Sequence, residues 1–160
     1  MTIETAEIKD IPSLVTMRME YLKEDHGHIN EEDEKLIRER LPEYFKTHLC
    51  KDLFCFVVRQ KEEIVSCAFL LITEKPMSPS FLNGRIGNVL NVYTKPENRR
   101  KGYAKAILQQ LLFTAEQKEL STVELKATDE GYLLYKSIGF HDEDQYYHMK
   151  WKNPKKQTGE

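Results

Sequence analysis

Cysteine is scarce in this chain: Cys50, Cys55 and Cys67 are an odd set with no CxxC spacing. They cannot all pair internally, and they carry no zinc-ligand pattern, so neither a disulfide framework nor a metal site is expected. Long hydrophobic runs are absent too. Nothing approaches the roughly 20 apolar residues that span a bilayer, and the first residues have no apolar signal core. The expectation is a cytoplasmic protein with reduced thiols and no membrane partner. Charge of one sign is lacking as well, since 24 Lys and Arg stand against 26 Asp and Glu for a net charge of −2. That balance gives no overall drive toward nucleic acid. What is present is ordinary for one soluble domain: 160 residues, 40% hydrophobic and 31% charged, without repeats or low-complexity tracts.

Periodicity predicts the order β α α β β β α β α β. Residues 2–8 alternate as a short strand. Asp10 is expected to cap a helix with Pro12 in its first turn and a stripe of Ile11, Leu14, Val15, Met17 or Arg18, Tyr21 and Leu22, broken at Gly27. A second helical pattern covers 31–49. Apolar runs at 53–59 and 64–73 flank Gln60-Lys61-Glu62-Glu63 and predict an antiparallel hairpin. The Pro76–Gly87 stretch has loop composition, and Arg85–Thr94 is the next strand. Ala104, Ile107, Leu108, Leu111, Leu112 and Ala115 then mark a helix, followed by a short strand over Ser121–Ala127. A third major helix opens at Thr128 or Asp129 and ends at Gly139. Gln145–Trp151 is expected to be the last strand. Strand, helix and strand over 88–126 predict a parallel crossover.

The most telling segment joins the strand to the longest patterned helix. Lys95-Pro96-Glu97-Asn98-Arg99-Arg100-Lys101-Gly102 is a basic turn with one glycine, opening directly into a helix. The first N–H groups of a helix lack internal partners and carry the positive end of its dipole. Arg99, Arg100 and Lys101 add full charges, and Gly102 permits close approach of a ligand to the backbone. The segment is a candidate pyrophosphate cradle.

Arg99-Arg100-Lys101-Gly102-Tyr103-Ala104 resembles the (Gln/Arg)-x-x-Gly-x-(Gly/Ala) loop of the GNAT N-acetyltransferase superfamily. Tyr135-Lys136-Ser137-Ile138-Gly139-Phe140 looks like the Tyr-x-x-x-Gly-Phe ending of that family's last helix. The resemblance implies an α/β fold. Its central sheet is mixed, antiparallel in its N-terminal part and parallel across the 88–126 crossover, with flanking helices. It implies one acetyltransferase domain over residues 1–152, with a polar tail over 153–160. It also implies acetyl-coenzyme A as acyl donor, held by Arg99, Arg100, Lys101, Gly102, Tyr103 and Ala104 at the pyrophosphate and by Val92, Tyr93 and Thr94 along the pantetheine arm. A small-molecule or peptide amine is the implied acceptor, attacking the thioester directly in a ternary complex, and a homodimer is common in the family. No cysteine lies in either motif, which disfavours a covalent acetyl-enzyme.

By the same resemblance, Tyr135 is the catalytic acid. A phenol of ordinary pKa near ~10 lies close to a thiol of ~8.5 and can share a proton with a departing thiolate. Core packing with Tyr132 and Phe140 is the other reading of the same residue. Some relatives carry a glutamate where this chain has Asn88, so the general base is unassigned, with Glu74, His141 and His148 as candidates. That gap keeps a second function open, a non-catalytic acyl-CoA-binding module. The acceptor is undetermined for a different reason. Glu24–Glu34 contains six carboxylates, His26 and His28 without a Lys or Arg, which suits either a cationic amine or simply the start of a helix. Arg85, within the Pro76–Gly87 segment that suits a lid over the acceptor, fits a carboxylate instead.

Overall fold

Each strand of the sheet lies beside the strands that precede and follow it in the sequence. The computed structural model describes residues 1–155. Its elements are β1 (Glu4–Thr5), α1 (Ile11–His26), α2 (Glu31–His48), β2 (Leu53–Gln60), β3 (Glu63–Glu74), β4 (Arg85–Thr94), α3 (Tyr103–Gln117), β5 (Thr122–Glu124) and α4 (Asp129–Ser137). The sheet order is β1-β2-β3-β4-β5, antiparallel from β1 to β4 and parallel between β4 and β5. The mixed sheet and the crossover expected from the sequence are both present. The chain divides into two compact units, Met1–Lys126 and the segment from Ala127 onward, described separately below.

In the first unit β2 and β3 are buried on both faces, which is why they read as near-continuous apolar runs. Cys55, Val57, Cys67, Phe69 and Tyr93 share a buried cluster with Leu14 and Met17 of α1 and Phe45 of α2. Alternation sends Phe54, Phe56 and Val58 to the opposite face. There α3 lies on β2, β3 and β4, with Ile107, Leu108 and Leu111 buried and Lys118 placed 4.3 Å over the Phe54 ring.

Asp10 stands at the N-cap position of α1 as expected, but without a side-chain cap hydrogen bond there. Its side chain accepts the Glu7 N–H at 2.8 Å and pairs with Arg59 of β2 at 2.8 Å, so it staples the helix entry to the sheet. Burial pushes its carboxyl upward, but the Glu7 hydrogen bond and the Arg59 guanidinium outweigh that and hold it below the usual range. The folded state therefore prefers the ionised form. The stabilisation is complete above the unfolded value of about 4 and is lost as pH falls through the lower folded value. Asp10→Ala should cost about 2 kcal/mol at neutral pH by leaving Arg59 and the Glu7 N–H short of a partner. It should also flatten the acid limb of the stability curve, and thermal melts from pH 7 to pH 2 check both effects.

The second unit holds α4, whose N-cap is Thr128 rather than Asp129: the Thr128 hydroxyl accepts the Gly131 N–H. Gly139, at φ 108°, follows the end of α4 as expected. The last predicted strand is not one. Residues 145–151 form no ladder, and Tyr146, Tyr147, Met149 and Trp151 are exposed. Alternating aromatic residues report only fitness for a pleated surface, and a strand exists only once a partner supplies the other half of its hydrogen bonds. The 153–160 tail lies partly outside the described residues.

Candidate active site

The edge of β4 opens where β5 stops. Ile86, Gly87 and Asn88 pair with Thr122, Val123 and Glu124, after which β5 ends. From Val89 to Thr94 that edge of β4 has no strand partner among the described residues. A bulge sits in the same stretch. Cys67 faces Tyr93 while Phe69 faces Leu90, which leaves one extra residue in β4, and Asn91 absorbs it at φ 54°. Asparagine tolerates that left-handed conformation better than most residues. Its buried amide is held on both sides: Oδ1 accepts from Arg18 Nη1 at 3.2 Å, and Nδ2 donates to Cys67 Sγ at 3.5 Å. Burial pushes the Cys67 thiol up to about 12, so it is a protonated packing group.

Beyond the open edge, a short 3-10 turn (Pro96–Asn98) leads to α3. Arg100 is left-handed at φ 65°, and Gly102 is left-handed at φ 80° as the N-cap of α3, where no side chain caps the helix. The first amides of α3 are thus available to an anion, beside the exposed Arg100 and Lys101, neither of which has a hydrogen bond or ion pair among the described residues. An added Cβ at Gly102 meets nothing within 4 Å, so open space lies over the turn. The loop's shape comes from β2 and β3. Asn98, buried, donates to Gln60 Oε1 at 3.0 Å, Gln60 Nε2 donates to the Tyr103 hydroxyl at 2.7 Å, and Lys95 pairs with Glu63.

The residues expected at the cofactor therefore divide. Val92, Tyr93 and Thr94 lie on the open edge. The Tyr93 ring is buried in the α1–α2 core and the Thr94 hydroxyl bonds Ser66 at 2.7 Å, so at these two the open edge offers backbone groups rather than side chains. Arg100, Lys101, Gly102 and Ala104 surround the helix entry, while Tyr103 is spent on Gln60. Arg99 turns back: Nε donates to the Thr94 carbonyl at 2.8 Å and Nη2 to Glu24 at 2.6 Å, with the guanidinium 5.6 Å from the Tyr93 ring centre. It buttresses the strand end.

Tyr135 stands in the second unit, half-buried on α4, with its ring 6.1 Å from that of Phe140 and packed against Gly131. Tyr132 donates its hydroxyl proton to Asp142 at 2.6 Å, a bond that raises its pKa and occupies it. Among the base candidates, Glu74 ends β3 opposite Arg85, and His141 and His148 are exposed. Asn88 donates to the Thr73 hydroxyl at 3.2 Å.

The family model for the acetyltransferase (GNAT) domain matches residues 51–142. The chain belongs to the GNAT acetyltransferase family. A predicted acetyltransferase of Clostridium acetobutylicum, solved with acetyl-CoA, has a TM-score of 0.82 at 28% identity over 93% of this chain and 95% of that one. A GCN5-related N-acetyltransferase from Ralstonia eutropha JMP134 shares the fold with a TM-score of 0.76 at 19% identity, over 93% and 97% of the two chains. No curated protein gives a match. Among the described residues, no helix of this GNAT chain is long and apolar enough to cross a membrane.

The structure also changes what the acceptor side offers. Glu31, Glu32, Asp33 and Glu34 form the first turn of α2, where Asn30 caps the Asp33 N–H at 2.8 Å. Lys23 and Arg38 bond Glu34 and hold its carboxyl below the usual range. The acidic run is a helix start. Arg85 donates to the Lys118 carbonyl at 2.7 Å and closes the end of α3. The cation that sequence reasoning passed over is Arg18, written into the apolar stripe of α1. A charged residue at a stripe position was the available signal.

Proposed function

We propose that this GNAT protein transfers acetyl from acetyl-CoA to a primary amine of a small molecule or peptide, both substrates being bound together. The observation that carries the proposal is the unpartnered edge of β4 leading into the uncapped entry of α3. Several charge-assisted hydrogen bonds at about 1.5–3 kcal/mol each suffice to anchor a nucleotide cofactor there. The amides of Gly102, Tyr103 and Ala104, with Arg100 and Lys101, would hold the pyrophosphate, and the backbone of Val92–Thr94 the pantetheine amides. Arg99 keeps the end of β4 in place.

Bound acetyl-CoA supplies an acetyl thioester, whose transfer to nitrogen breaks the C–S bond, sends one proton to the departing sulfur and takes one from the amine. Tyr135 delivers the first of these protons from its phenol. That role rests on the helix-end motif Tyr135–Phe140, and the match over 51–142 supports treating both units as one acetyltransferase domain. Solvent takes the second proton, because Asn88 has no carboxylate to accept it.

That same Asn88 favours a second reading, a non-catalytic module that binds acyl-CoA. Thiol release from acetyl-CoA over a panel of amines, with mass detection of product, separates the two. Turnover of at least one amine is expected; tight coenzyme binding without turnover on any amine leaves only the module.

A further inference from the structure

Among the described residues Arg18 is a half-buried arginine that bonds no anion. Arg38, Arg59 and Arg99 each bond a carboxylate, and Arg85 bonds a helix-end carbonyl. Among the described residues Arg18 has one hydrogen-bond acceptor, the neutral Asn91 Oδ1, and no carboxylate within ion-pair distance. Its guanidinium lies 5.7 Å from the centre of the Tyr21 ring, and Tyr44 of α2 is near enough to feel its charge. Burial outweighs the fields of Tyr21, Tyr44, Asp25 and Cys67 and disfavours the charged form, so the group sits in a desolvated position that no direct ion pair among the described residues offsets.

Two further observations point outward. The hydroxyls of Tyr21 and Tyr44 have no hydrogen-bond partner among the described residues, yet neither is sealed off as an unsatisfied buried atom. They are neutral donors open to a ligand. Asn91, the residue Arg18 touches, is the bulge residue of the unpartnered β4 edge. Arg18 therefore stands one hydrogen bond from the edge assigned above to the donor.

We infer that Arg18, with the phenols of Tyr21 and Tyr44, binds a carboxylate on the acceptor, so that the amine acetylated belongs to an amino-acid-like molecule. A guanidinium with free N–H groups matches a carboxylate as a planar fork. One cation and two neutral hydroxyls balance a single negative charge. The field of Asp25, which reaches both Arg18 and Tyr21, opposes a dianion such as a phosphate ester. The inference rests on the donor reading of the β4 edge.

The test pairs amino acids with their carboxamides and adds an amine bearing a phosphate monoester, following thiol release for wild type, Arg18→Gln, Arg18→Lys and Tyr44→Phe. The carboxylate member of each pair should have a KM at least about tenfold below its amide, the worth of one charged hydrogen bond. Arg18→Gln should erase that gap while leaving the KM for acetyl-CoA within twofold. Tyr44→Phe, which removes one oxygen and keeps the ring, should narrow the gap without lowering the thermal midpoint. Equal KM values within pairs overturn the inference, as does preference for the phosphate ester or an equal rise for both members in Arg18→Gln. Calorimetry keeps the two proposals apart. Failure of acetyl-CoA to bind overturns the donor reading. Wild type that binds an N-acetyl-amino acid no better than Arg18→Gln does overturns the carboxylate site, whatever the turnover.

Discussion

Reversing both free charges of the loop, Arg100→Glu with Lys101→Glu, should weaken acetyl-CoA binding by roughly a hundredfold. Each lost phosphate contact removes a charge-assisted hydrogen bond, and each new carboxylate adds repulsion, so a factor of ten per site is a modest expectation. Folding should be untouched, because both side chains are exposed and have no hydrogen bond or ion pair among the described residues. Isothermal titration calorimetry at low and at physiological salt measures it. The wild-type dissociation constant should rise with salt, and the double variant should respond far less. An unchanged affinity would remove the loop from the cofactor site. Arg99→Gln provides the contrast. Its guanidinium bonds Thr94 and Glu24, so this substitution should lower the thermal midpoint as well as the affinity.

Tyr135→Phe should lower kcat on the order of a hundredfold, the lower end of what positioned acid–base groups contribute, with little change in the KM for acetyl-CoA. The substitution keeps the ring, which still meets Phe140 and still packs against Gly131. Tyr132→Phe removes a hydroxyl already given to Asp142 and should leave kcat nearly unchanged. Equal rates for wild type and Tyr135→Phe would reduce Tyr135 to a packing residue and favour proton delivery by solvent.

The residues differ in how far the sequence alone made them legible. The Arg99–Ala104 loop and the β4–α3 junction were plain because their signals are local: a proline turn, three basic residues, one glycine and a strong helical period. The faces of the sheet followed from alternation. The parting of β4 from β5 after Asn88 was hidden, since the length over which two strands pair is a property of the packed sheet. The bulge at Asn91 was equally silent, because a single residue at positive φ breaks no pattern that a reader can count. Gln145–Trp151 misled in the opposite direction, with a strand's composition but no ladder. Arg18 falls beside Met17 in the apolar stripe of α1, where its charge is the one local signal that sets it apart. Tyr135 differs again, for its proposed role comes from a motif rather than from any local physical signal.

The fastening of the 95–103 loop has a consequence for the way a ligand is received. Gln60 holds both Asn98 and Tyr103, while Glu63 holds Lys95, so the turn is tied to the β2–β3 hairpin by the chain's own side chains. Freezing a backbone costs about 1–2 kcal/mol per residue, and here that entropy is lost during folding rather than on encounter. An arriving anion meets amides already aimed. Differences in affinity among variants of the free cations should therefore surface mainly as differences in residence time.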